Sequence, residues 1–279
     1  MHSYYSDGTN SPGELVRMAK EKNISTISVT DHDGIDGVAE AVQEGKILGV
    51  NVVPGIEISV TSDIKGIHIL GYGIDIYNPE FKLFIKLLKQ YRRERNARFM
   101  AEFERLEILI SETDLSSENS KEYWGKPHFA QILKKRGLIE NAKEAFSSEK
   151  YFRSDNFRKI IKQKPLETEG IDAIRKSGGF AVLAHPGLIM DKSGAQIPEY
   201  ELSELIKKLK SFGLAGVECY YSEHSEEFTR RILKITTENG LFPTAGSDFH
   251  GLNSTKESKA NIGLPEKYTK EIEALKFPF

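Results

Sequence analysis

The chain has 279 residues, a formal net charge of −2, and 39% hydrophobic and 29% charged residues, an ordinary globular profile long enough for one domain or a barrel with an insertion. That charge offers no basic footprint for general nucleic-acid binding, and no apolar run reaches membrane-spanning length or forms a signal peptide. Cys219 is the only cysteine, which excludes an intrachain disulfide and fits a reducing, cytoplasmic compartment.

Ser11 before Pro12 and Glu14-Leu15-Val16 predicts a helix start, with Ser11 as cap and Pro12 at the first helical position. A strand over 24–29, a helix over 37–48 and strands over 50–53, 56–61 and 67–71 follow from the apolar periodicity. Alternating strand and helix predicts an α/β fold with a parallel sheet. From Glu80 to about Gln163 almost nothing reads as strand. A long charged helix over 81–110, rich in arginine, is followed by helical pieces over 128–136 and 141–146. Lys164-Pro165 marks the exit, so residues 80–164 read as a helical insertion capping a core made of 1–79 and 165–279. Alternation then resumes, with helices over 171–177, 200–212 and 226–238 and strands over 180–184, 216–220 and 242–245. Cys219, in an apolar strand with no basic neighbour in sequence, reads as a packed, inert thiol.

Most of the seven histidines stand beside a carboxylate or a tight-turn glycine, at the end of a predicted strand. Met1-His2-Ser3 leads to Ser6-Asp7-Gly8, and the next strand runs into Thr30-Asp31-His32-Asp33. Pro54-Gly55-Ile56-Glu57 precedes Gly66-Ile67-His68; later come Ala184-His185-Pro186 and Gly246-Ser247-Asp248-Phe249-His250. Strand ends that deliver imidazole and carboxylate to one place build a metal centre. The donor mix suits manganese, iron or zinc, and Asp7, Glu57 and Asp248 can bridge two ions. Asp33, just before Gly34 and a helix, reads as a helix cap, and Asp31 as a partner that orients His32.

The order His-Ser…Ser-Asp-Gly, Thr-Asp-His, Pro-Gly-Ile-Glu, Ile-His-Ile-Leu-Gly-Tyr, Ala-His-Pro and Gly-Ser-Asp-Phe-His-Gly resembles the PHP (polymerase and histidinol phosphatase) family over essentially the whole chain. The resemblance implies a distorted (β/α)7, TIM-like barrel with an all-helical insertion. It also implies two or three divalent metal ions (Mn, Fe or Zn) at the strand ends and hydrolysis of phosphoesters by a metal-bound hydroxide. Segments 180–187, 220–225 and 246–251 resemble the stand-alone bacterial phosphoesterases. These imply a small phosphorylated, nucleotide-like substrate, such as a nucleoside 3′,5′-bisphosphate, or a short RNA trimmed from its 5′ end. No membrane and no long nucleic acid is expected as partner.

Residue by residue, the resemblance implies one ion on Asp7, His32 and His250, a second on Glu57, His68 and His185, and a third on His2, Glu57 and Asp248. Asp7, His32, Glu57, His185, Asp248 and His250 then form the catalytic set. The family pattern opens Asp-x-His-x-His-Ser, whereas here His2 matches only the second histidine, as if the start were misassigned or the chain shortened. Strand residues i and i+2 share a face, so the third ion loses a partner and His2 is expected to fray. Lys126 and His128 lie in a segment resembling one that faces the site, where they would hold phosphate or ribose; His128 reads equally as a packed helix-start residue. His224, at a strand end, reads as a phosphate contact, and Arg95 or Arg98 as an arginine turned inward from a solvated helix face. Two other classes stand beside the phosphoesterase: a metal-dependent hydrolase of another bond type, amidohydrolase-like, and a catalytically impaired PHP module.

Overall fold

The computed structural model describes residues 1–116, 124–191, 193–253, 261–263, 268–273 and 275. Helix α1 (Pro12–Glu21) starts where the sequence predicts. Ser11 Oγ accepts from the Glu14 N–H, and the Glu14 carboxylate accepts from the Ser11 N–H, a reciprocal cap with Pro12 at the first helical position. Strand β1 (Thr26–Ile27), helix α2 (Val38–Leu48) and strand β2 (Asn51–Val52) follow, and β1 pairs in parallel with β2. The strand expected over 24–29 is shorter, only Thr26–Ile27 pairing with β2, and just beyond it Thr30 N–H donates to the Met1 carbonyl at 2.9 Å.

Strands β3 (Gly55–Ser59) and β4 (His68–Tyr72) pair antiparallel. No helix lies between them, and a chain that turns back without a crossover can pair only that way. Helices α3 (Pro79–Arg105), α4 (Glu112–Ser116), α5 (Lys126–Lys135), α6 (Glu144–Ser147) and α7 (Asp155–Lys159) come next. Asn78 caps α3 by accepting from Phe81 N–H, and Pro79 occupies its first turn; the helix ends before Glu107, whose φ is 61°. The aromatic rings of Phe99, Phe103, Phe129, Phe152 and Phe157 pack against one another with centroids 4.6–5.9 Å apart. The buried apolar side chains of this cluster all come from residues 99–157.

Helix α8 (Glu167–Lys176), β5 (Phe180–Leu183), α9 (Glu199–Ser211), β6 (Gly216–Tyr221), α10 (Glu226–Glu238), β7 (Phe242–Gly246) and α11 (Thr269–Glu273) complete the described elements. The larger sheet runs β3-β4-β5-β6-β7, with β4 antiparallel to both neighbours and β5, β6 and β7 parallel. An isolated parallel bridge between His32 and Glu57 joins it to the β1-β2 pair. The sequence expectation is therefore corrected twice: the sheet is mixed, and it is not closed into a barrel. Among the described residues no helix is long and apolar enough to cross a membrane.

Alternation along the strands sorts their faces. Ile56, Ile58, Ile69, Ala181, Leu183 and Val217 enter the main core with apolar residues of α8, α9 and α10. The cross-strand register puts Glu57, His68, Glu218 and Thr244 on the opposite, inner face with Leu70, Tyr72 and Val182. A register shift between Glu218 and Tyr220 changes the parity of β6, so that Tyr221, paired with Gly246, also turns inward. Cys219 is buried with its Sγ 3.3 Å from Thr236 Oγ1, and burial pushes its thiol up to about 12. The native protein is expected to resist an excess of thiol reagent and to label only on denaturation; rapid native labelling would contradict this packing.

Candidate metal centre

Glu57, on the inner face of β3 and 2% exposed, is the hub of the site. Its Oε1 lies 2.6 Å from His68 Nδ1 and 3.0 Å from His185 Nε2, and its Oε2 lies 3.0 Å from His2 Nε2 and 3.7 Å from His32 Nδ1. His2 Nε2 is also 3.0 Å from Asp248 Oδ1. Asp7 completes the opposite flank, with its carboxylate 3.3 Å from His250 Nε2, 3.6 Å from His2 Nδ1 and 3.8 Å from His32 Nε2. Glu57 and His68 sit on β3 and β4, His185, Asp248 and His250 just beyond β5 and β7, and His32 in a bridge to Glu57. His2 and Asp7, by contrast, come from the loop before α1.

Backbone strain is concentrated here. Asp33, His185 and Asp248 adopt φ values of 56°, 27° and 48°, a region that non-glycine residues rarely occupy and that clusters at functional sites. Neighbouring groups hold these turns. Glu218 Oε2 accepts from the His185 N–H at 2.8 Å, and Tyr221 donates its hydroxyl to Asp248 Oδ2 at 3.1 Å. His250 Nδ1–H donates to the Asp248 carbonyl at 2.7 Å, which leaves its Nε2 facing Asp7.

Burial opposes a charge on His2, but hydrogen bonds to Asp248 and Glu57 hold it up at about 10. Burial wins at His32 and pushes it down to about 3. Glu57 is buried and Asp7 and Asp248 partly so, yet the imidazoles around them keep all three well below the usual carboxylate range. Glu218, with no imidazole side chain bonded to it, is raised by burial to about 7. A proton on His2 and a cation compete for the same carboxylates, so metal binding here is coupled to proton release.

The donor set fits divalent metal ions. Among the described residues, ligand atoms lie within 4.8 Å of one another in three overlapping groups: His2, Asp7, His32 and His250; His32, Glu57 and His68; His2, Glu57 and Asp248. His185 joins through Glu57. The Nδ1 atom of His32 is buried without a hydrogen-bond partner and faces Glu57 Oε2 at 3.7 Å, as expected of a nitrogen kept for a cation. The eight side chains that the family resemblance assigned to metal thus meet at one place, with His2, His32 and Glu57 each contributing to two groups.

Several expectations are corrected. His2 does not fray: it is 1% exposed, and its N–H donates to the Phe249 carbonyl at 2.8 Å. Asp31 does not orient His32; it accepts from Ser3 N–H (2.7 Å), Ser3 Oγ (2.6 Å) and Ser6 Oγ (2.5 Å), and so shapes the loop that carries His2 and Asp7. Asp33 caps no helix: it is fully buried, and its Oδ2 accepts from Arg92 at 2.6 Å and from Lys162. His224 has both ring nitrogens engaged, Nδ1–H donating to the Cys219 carbonyl and Nε2 accepting from the Gly187 N–H, each at 3.0 Å. It is buried, held down to about 4 by that burial, and braces the turn after His185 rather than offering a nitrogen to phosphate. His128 is buried in the first turn of α5, where its Nδ1 accepts from the Gly125 N–H at 2.9 Å.

Arg95 turns inward, its guanidinium donating to the Asn96 side chain and to the Trp124 carbonyl at 2.8 Å, whereas Arg98 stays exposed and donates to Ile161 O. Burial, then the like charge of Arg92, lowers Arg95 to about 9, and burial followed by Arg95 lowers Lys126 as well. The sequence reading missed Glu218, Tyr221 and the Asp33–Arg92–Lys162 contact. The signal for Glu218 was there: a carboxylate between Val217 and Cys219 in an otherwise apolar strand is a buried charge in need of a reason.

An α/β scaffold that gathers histidines and carboxylates at its strand ends defines a metal-dependent hydrolase. The profile of the PHP domain matches residues 1–211. The chain belongs to the PHP domain family, and it is a metal-dependent phosphoesterase. It is 30% identical over 254 residues to the 5′-3′ exoribonuclease Rnm of Escherichia coli, covering 89% of this chain and 83% of that protein. It is 27% identical over 250 residues to a 3′,5′-nucleoside bisphosphate phosphatase of Chromobacterium violaceum, covering 89% and 85%. Among solved structures it resembles an amidohydrolase from Chromobacterium violaceum with bound sulfate and no metal, with a TM-score of 0.79, 26% identity, and 98% and 94% of the two chains covered.

Proposed function

We propose that the chain hydrolyses phosphate monoesters of small nucleotide-like substrates, with nucleoside 3′,5′-bisphosphates as the leading candidate and short oligonucleotides as the second. The observation that carries this reading is the run of cations beside the metal cluster. Arg92 and Lys162 donate to one carboxylate, Asp33, which adjoins His32; Arg95 and Lys164 also feel that carboxylate, and Lys126 feels the like charge of Arg95. Cations crowded into a low-dielectric wall are stabilised by an anion, and a second phosphate supplies one. The resemblances to a nucleoside bisphosphate phosphatase and an exoribonuclease support the same chemistry.

His2, Asp7, His32, Glu57, His68, His185, Asp248 and His250 would hold two or three divalent ions of manganese, iron or zinc. Such ions, when bound, supply Lewis acidity and positive charge for attack on a phosphoryl group. The chain's own residues do the rest. Tyr221 and His250 orient Asp248, Glu218 holds the strained turn at His185, and Arg95 with Lys126 grips the phosphate that is not cleaved. Lys126 Nζ lies 5.3 Å from the Phe152 ring centroid, and the Arg95 guanidinium 5.3 Å from that of Phe99, so aromatic faces steady both cations. The burial of His2 within the cluster speaks against a catalytically impaired module.

The test is phosphate release from a nucleoside 3′,5′-bisphosphate, a nucleoside 5′-monophosphate and p-nitrophenyl phosphate, beside an amide-substrate panel, with metal content per chain measured on protein purified without chelator. Preferential release from the bisphosphate is expected. Amide turnover without phosphate release would overturn the reading, and equal rates on all phosphate esters would overturn the substrate class. His185→Ala is expected to cut turnover by about 10²-fold or more with an unchanged circular dichroism spectrum. Near-full activity in that variant would remove His185 from the metal set.

A further inference from the structure

Asp33 is tied in two directions at once. Its N–H donates to the Glu57 carbonyl at 2.8 Å and its Oδ1 accepts from the Ser59 N–H at 3.3 Å, which fastens it to β3 and the hub of the metal cluster. Its Oδ2 accepts from Arg92, within α3, and from Lys162, in the segment leading back from the helical insertion. One helical turn beyond Arg92, Arg95 donates to the Trp124 carbonyl, and Trp124 lies two residues before Lys126. A continuous set of contacts therefore runs from Glu57 through Asp33 and Arg92 to the Arg95–Lys126 wall.

We propose that Asp33 is a positioning residue that sets the separation between the metal cluster and the Arg95–Lys126 wall, and thereby the preference for substrates carrying a second anionic group. The proposal rests on the substrate reading above. Two effects of losing this carboxylate compete. Removing a negative charge would by itself draw anions more strongly everywhere in the site. Against that, a guanidinium and an ammonium would be left buried without their counter-ion, which drives α3 and the Lys162 segment away from β3. Asp33 is 0% exposed and both cations are largely buried, so the contact interactions outweigh a charge acting through solvent.

The experiment compares kcat and KM of wild type, Asp33→Asn, Lys162→Met and the double variant on a nucleoside 3′,5′-bisphosphate and on p-nitrophenyl phosphate. For Asp33→Asn the KM of the bisphosphate is expected to rise about tenfold, with its kcat and both constants for p-nitrophenyl phosphate within about threefold of wild type. Lys162→Met is expected to raise the same KM less, and the double variant no further than Asp33→Asn, because the two residues act through one contact. An equal loss of kcat on both substrates, or a lowered KM for the bisphosphate, overturns the proposal. Should Asp33→Asn fail to fold, an unchanged bisphosphate KM in Lys162→Met overturns it instead. A wild type that does not favour the bisphosphate refutes the substrate reading and this role with it, whereas a wild type that favours it while the variants keep its KM refutes only the role of Asp33.

Discussion

Glu57→Gln is expected to lower kcat/KM for phosphate release by about 10³-fold or more, roughly 4 kcal/mol of transition-state stabilisation, and to reduce the metal bound per chain. The substitution is nearly isosteric, so the fold survives; what changes is the chemistry at the hub. Both oxygens of Glu57 face imidazole nitrogens, at 2.6 and 3.0 Å on one side and 3.0 and 3.7 Å on the other. An amide can present only one acceptor and turns an N–H donor toward two of the four rings. The single negative charge shared by the two flanks of the site is lost at the same time. Steady-state kinetics and elemental analysis check this together, and activity within about tenfold of wild type would show that Glu57 is not the bridge.

Phe103→Ala is expected to destabilise the helical insertion by about 3–5 kcal/mol. Phe103 is fully buried and packs against Phe129, Tyr151, Phe152 and Phe157, with centroid distances from 4.6 to 6.3 Å. These neighbours come from separate segments, so the rings cannot all close on the void, and the cavity cost adds to the lost transfer energy. Trp124, the single tryptophan, belongs to this cluster and makes fluorescence a local reporter. Its unfolding transition is expected to fall by about 10 °C, while circular dichroism, dominated by the rest of the chain, moves less. The same variant is expected to lose more activity on the bisphosphate than on p-nitrophenyl phosphate, since Arg95 bonds the Trp124 carbonyl. A fluorescence midpoint within about 2 °C of wild type would mean that the insertion core relaxes around the gap.

Much of the site was legible because its parts are local. A histidine beside a carboxylate at the end of an apolar run, followed by glycine or proline, can be read within a few residues, as at Asp31-His32-Asp33, Ala184-His185-Pro186 and Asp248-Phe249-His250. The start of α1 was equally legible, since Ser11, Pro12 and Glu14 make their capping contacts within four residues. Roles that depend on a distant partner were misread. Asp33 looked like a cap because a helix follows it, yet its partners lie 59 and 129 residues away. Asp31 looked like an orienter of its neighbour, yet it binds Ser3 and Ser6 across a loop. His224 shares the strand-end context of the ligands and differs from them only in that main-chain groups occupy both nitrogens.

By itself the sequence determined most of the elements and the histidines and carboxylates at strand ends, because periodicity, capping and turn chemistry act over a few residues, and its resemblance to the PHP family supplied the eight candidate metal ligands. Only the tertiary structure decided that the sheet is mixed and open, that a bulge in β6 turns Tyr221 toward Asp248, and that Glu218 lies beneath His185. It alone decided that the buried charge of Asp33 links Glu57 to the cationic insertion. The physical reason is common to all of these. Strand pairing, register and buried ion pairs join residues far apart in the chain, and their energies depend on burial and distance, which no local pattern contains.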